Sequence, residues 1–87
     1  MRTMNEEPHP FLRVTIGTPI YTSDQEKLGT VKERRGNAMK VGTPLFQRDF
    51  WLSADTVSSA TPDESVMLTI PYADLDEYKI EEPAEAA

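Results

Sequence analysis

Gly17-Thr18-Pro19-Ile20-Tyr21-Thr22-Ser23-Asp24-Gln25-Glu26-Lys27-Leu28-Gly29-Thr30-Val31 reads as a strand, a polar turn and a second strand with a glycine near its start. Ile20, Tyr21 and the flanking threonines are of the β-branched and aromatic types that fit a pleated, half-buried surface. Pro19 suits the start or the edge of a strand, because it has no N–H to give to a ladder. Ser23 and Asp24 carry oxygens that bond nearby backbone N–H groups and hold a reversal. The pattern speaks for β-structure and names no reaction.

The first strand is expected over Thr18–Thr22 and the second over Leu28–Arg35. Gly36-Asn37 is a pair able to take the positive φ angles of a tight hairpin, with Ala38–Val41 returning as the third strand. Gly42-Thr43-Pro44 breaks the run, a short strand follows at Phe50–Leu52, and Ser53-Ala54-Asp55 reads as a single turn. Thr56–Thr61 is the next strand, and Pro62-Asp63-Glu64 is a tight connection with proline preset for a turn. Ser65–Ile70 has Val66, Leu68 and Ile70 on one face by the two-residue period. Pro71 starts a short helix over Tyr72–Tyr78, with Leu75 and Tyr78 on one side by i, i+3 spacing. The expected fold is therefore all-β, a small barrel of about six short strands with a short C-terminal helix. Residues 1–10 form a disordered arm, 11–80 the domain, and 81–87 an acidic disordered tail.

A chain of 87 residues makes one domain. Such a chain buries only about 60–65% of the surface it exposes when unfolded, so its core is thin. Small domains offset that with disulfides, a metal or a partner subunit. The sequence has no cysteine and one histidine, His9. Disulfides and thiolate chemistry are excluded, and a histidine-built metal centre is disfavoured. Self-association is the remedy left open, and no cofactor is expected. The net charge of −6 argues against non-specific nucleic-acid binding, where a basic face supplies most of the affinity. Basic residues gather between Lys27 and Lys40, and acidic ones load the C-terminus from Asp74 onward. Opposed poles of this kind can steer head-to-tail contacts. No segment has the apolar length needed to span a bilayer, and the N-terminus lacks the apolar stretch of a secretory signal. A cytoplasmic location is expected.

Gly17-Thr18-Pro19-Ile20-Tyr21 with Ser23-Asp24 and Lys27-Leu28-Gly29-Thr30-Val31, followed by Phe50-Trp51-Leu52-Ser53-Ala54-Asp55, resembles the PRC-barrel family. Family members read as a Gly-x-x-Val opening, a Ser/Asp-Asp-Gly-x-x-Ile/Leu-Gly-x-Val hairpin and a later Trp-Leu-Pro-Ala-Asp-like step. The similarity covers roughly residues 13–80. Gln25 stands where the family often has glycine, and Ser53 where proline is frequent, which implies an altered turn and a looser corner. The resemblance implies a small β-barrel of the kind seen in the photosynthetic reaction-centre H subunit and in the ribosome maturation factor, whose C-terminal barrel binds a ribosomal protein. It carries no general catalytic residue set, so it implies an interaction module rather than an enzyme.

Phe46, Phe50 and Trp51 are the candidate recognition residues, since aromatic anchors dominate interfaces. For Trp51 the favoured reading is a barrel plug or a lid over an open end, because tryptophan and phenylalanine offer the largest apolar burial. Alternation sends Phe50 and Trp51 to opposite faces, with Phe50 expected to be the exposed anchor. Lys32 and Arg34 share a strand face by the same period and form a short basic stripe without the aromatic platform that stacks bases. Asp24 with Glu26, and Asp63 with Glu64, lack the alternating ligands and closing glutamate of a calcium loop and read as turn formers. Asp49 and Asp55 flank the tryptophan with nothing to mark either as a buried acid or base. The serines have no base beside them, as His9 lies in the arm. The expected function is a non-enzymatic interaction module that pairs with itself and with an unidentified protein. The alternative is an accessory of RNA processing or ribosome assembly that binds a ribosomal protein or RNA.

Overall fold

A computed structural model of the chain describes residues 9–43 and 48–83. Seven strands form one curled, half-barrel sheet among the described residues. They are β1 (Pro19–Tyr21), β2 (Lys27–Arg35), β3 (Ala38–Gly42), β4 (Phe50–Ser53), β5 (Val57–Thr61), β6 (Ser65–Leu68) and β7 (Lys79–Ile80). The order across the sheet is β5-β6-β1-β2-β3-β4-β7. Neighbours run antiparallel except β1 and β6, which are parallel.

The barrel-like all-β architecture agrees with the sequence, but the strand count is seven rather than six. β7 is two residues long, too short to carry an alternation. It exists because Ile80 and Lys79 pair with Trp51 and Leu52 of β4. The helix expected over Tyr72–Tyr78 divides into a 3₁₀ turn (Tyr72–Asp74) and one α-helical turn, α1 (Leu75–Tyr78). Leu75 is buried, whereas Tyr78 is 43% exposed, so the two do not share an environment. The chain becomes extended at Lys79 to reach β4, and only the start of α1 meets the core.

Three bulges give the sheet its curl, as extra residues bend and twist a strand. In β2, pairing steps from Ile20↔Gly29 to Tyr21↔Lys27 and from Val31↔Val41 to Glu33↔Lys40, leaving Leu28 and Lys32 as the additional residues. In β5, the step from Val57↔Leu68 to Ser59↔Met67 leaves Ser58 extra. This last bulge explains why both Val57 and Ala60 are buried although an unbroken period of two would separate them. Val66, Leu68 and Ile70 all enter the core, as their spacing requires.

The core contains Ile20, Val31, Met39, Val41, Leu52 and Val66, each at most 1% exposed. Phe11 and Val14 close it from the N-terminal side, and Leu75 closes it from α1. Phe11 belongs to a 3₁₀ turn (Pro10–Arg13) that packs against β5. His9 caps that turn: its Nδ1 accepts the Phe11 N–H at 3.0 Å, and Pro10 presets the first turn position. The first described element thus begins at Pro10, while residues 1–8 and 84–87 lie outside the described residues.

The turns carry their own chemistry. Between β1 and β2, Gln25 N–H bonds the Thr22 carbonyl, and Thr22 N–H bonds that of Glu26. Gln25 itself has φ of 68°, the left-handed position of a three-residue hairpin loop that glycine ordinarily fills. At Pro62-Asp63, a turn is closed by Glu64 N–H on Thr61 carbonyl, and Asp63 takes φ of 64°. Aspartate tolerates that region better than most residues.

Candidate functional site

Trp51 and Phe50 do face opposite ways, but Trp51 does not plug the barrel and Phe50 is not the freely exposed member. Phe50 is half-buried and packs against the core cluster. The Nζ of Lys79 lies 4.5 Å from its ring centroid. Trp51 is only 5% exposed yet stands outside that cluster. Pairing explains this. Leu52 and Met39 are opposite one another and both enter the core, so Trp51 and its partners Lys40 and Ile80 take the other face of the sheet.

On that outer face, Trp51 is roofed by Arg35. The guanidinium carbon lies 4.9 Å from the indole centroid. Arg35 is opposite Ala38, whose own partner is Ser53, so it shares the face of Trp51 by register. Its Nη2 and Nε donate to Glu33 Oε2 at 2.7 and 3.2 Å. Its Nη1 donates to Glu82 Oε2 at 2.9 Å and to the Pro83 carbonyl at 2.8 Å. Glu33 foremost, then Glu82, hold the guanidinium proton more tightly than usual. The result is a layered patch: indole, then cation, then two carboxylates, with the C-terminal segment 79–83 as one wall.

Lys32 and Arg34 do not form a stripe. Lys32 is the extra residue of the β2 bulge, and its methylenes lie over Gly42. Arg34 follows the bulge and turns to the N-terminal closure. Its guanidinium stacks 4.7 Å from the Phe11 centroid and its Nη1 donates to the Val14 carbonyl at 3.2 Å. One inserted residue is enough to separate a pair of side chains that alternation would place together. Phe46 lies outside the described residues. Lys32, with Lys27, instead flanks an open cleft of about 350 Å³ floored by Leu28, Gly29 and Gly42.

The carboxylates weighed as ligands or acids have structural partners. Asp24 accepts the Thr22 hydroxyl at 2.5 Å and the Tyr72 N–H at 3.2 Å, tying the β1–β2 turn to the C-terminal 3₁₀ turn. The Thr22 hydroxyl is the main cause that draws the Asp24 pKa below its ordinary value. Asp63 Oδ1 accepts the Thr15 hydroxyl at 3.1 Å. Asp49 and Asp55 are exposed. Among the described residues no three histidine, cysteine, aspartate or glutamate side chains group to hold a metal ion.

Arg35 and Glu82 were invisible to a local reading of the sequence. Their separation of 47 positions defeats any spacing rule. The one available signal was the contrast between a basic middle and an acidic end, and this ion pair draws on that complementarity within a single chain. No protein-family model, curated protein or solved structure matches this chain.

Proposed function

We propose that this chain is a non-enzymatic, PRC-barrel-like interaction module that associates with itself and docks on a protein partner. The observation that carries the reading is an exposed apolar surface beside the end strand of the sheet. Among the described residues β5 ends the sheet, with β6 as its one strand neighbour. The 3₁₀ turn packed against β5 displays Leu12 at 61% exposure, and Ile16, in the chain that follows it, is 58% exposed. Exposed edges invite pairing with another chain, and apolar side chains beside them add the burial that makes such pairing persist. The thin core of a chain this size gives association a stabilising role. The carboxylates beside the turns are engaged in holding the backbone, which supports a structural and binding role over a catalytic one.

The test is sedimentation or light scattering over a dilution series, with wild type set against a Leu12→Ser, Ile16→Ser double variant. A concentration-dependent dimer that the double variant loses is the expected result. A wild-type monomer at high micromolar concentration would remove self-association from the reading.

A further inference from the structure

We infer that the outer face of β4 and its β7-side edge form a docking groove for an extended acidic peptide, and that segment 79–83 occupies it as a releasable strap. The inference rests on the reading of the chain as an interaction module and assigns that module a second, distinct surface.

Three features of a strand-binding groove are present together. The backbone of β4 offers a ladder, of which β7 uses only Trp51 and Leu52. Trp51 supplies a flat apolar floor next to Ile80, its directly opposed neighbour. Arg35 supplies a fixed cation two residues further along the strap, where Glu82 and the Pro83 carbonyl meet its Nη1. Glu33 holds the guanidinium from the opposite side, so the cation is positioned by β2 and not by the strap alone.

The occupant is held lightly. Ile80 is 41% exposed and the Glu82 side chain 64% exposed, and no strap residue belongs to the core cluster. A partner strand longer than β7 would extend the ladder to Ser53, whose carbonyl accepts the Thr56 hydroxyl at 2.8 Å. Its chemistry follows from the strap: an aliphatic residue opposite Trp51, one intervening residue, then a carboxylate for Arg35. A ladder partner must be a polypeptide, since main-chain pairing supplies the affinity and alternate side chains supply the choice.

Trp51 is the single tryptophan and reports directly on the groove. The full chain carrying Ile80→Pro and Glu82→Lys should release the strap, because proline removes a ladder donor and lysine repels Arg35. Trp51 emission then moves to the red and acrylamide quenching rises severalfold. A synthetic peptide of residues 79–87 reverses both changes saturably, and the same peptide with Glu82→Lys does not. A variant whose Trp51 stays shielded, or one whose exposed Trp51 ignores the wild-type peptide, overturns the proposal. So does a variant that loses its sheet by far-ultraviolet circular dichroism, since the strap is then integral to the fold. The dilution series reads assembly and this titration reads the groove, so either can fail without the other.

Discussion

Gly29 lies so close to the Gly42 carbonyl that a Cβ on Gly29 would overlap its oxygen and stand 3.0 Å from its carbon. β2 and β3 meet here, one step from the Thr30↔Gly42 pair. The position belongs to glycine because backbone, unlike a side-chain tip, cannot swing aside.

Gly29→Ala should therefore destabilise the fold by about 1–3 kcal/mol, the range for forced overpacking. Gly42→Ala should cost less, since its Cβ meets the flexible Lys32 methylenes. Urea midpoints of the two variants check the order, and a lower midpoint for Gly42→Ala than for Gly29→Ala contradicts it.

Gln25→Gly should stabilise the protein by up to about 1 kcal/mol. Relief of a left-handed residue is worth about 1–2 kcal/mol, less the added entropy that glycine brings to the unfolded chain. The turn's hydrogen bonds use Gln25 backbone only, so they survive the change. A reduced melting temperature would show that the Gln25 side chain contributes something the turn geometry does not account for.

Asp24 makes stability depend on acid. Its folded pKa lies below the ordinary value of 3.8, so its contribution is complete above that value and is lost as pH falls through the folded pKa. The melting-temperature gap between wild type and Asp24→Asn should be full near neutrality and should close as pH falls below 3.8 through the lowered folded pKa. A gap that stays constant from neutral to strongly acidic pH would mean the Thr22 and Tyr72 bonds do not favour the ionised form.

Phe11→Ala should cost about 3–5 kcal/mol, as for other buried aromatic truncations. A domain of this size has roughly 4–13 kcal/mol in total, so the loss leaves little in reserve. It also removes the ring beneath Arg34. Equilibrium unfolding in urea measures the loss. A value under about 1 kcal/mol would mean that the Pro10–Arg13 turn is a surface decoration.

Alternation over Ser65–Ile70 determined which of those side chains face the core, and the turn residues between Thr22 and Glu26 and at Pro62-Asp63 determined where the chain reverses. These are local effects, set by the two-residue period and by backbone sterics, and they are written into neighbouring residues. Tertiary structure alone decided that Lys32 and Arg34 diverge, that Trp51 sits outside the core, and that Arg35 and Glu82 meet over it. A bulge shifts register by one residue, and register depends on what the opposite strand offers. An ion pair between distant positions forms only after the sheet has curled to bring them together.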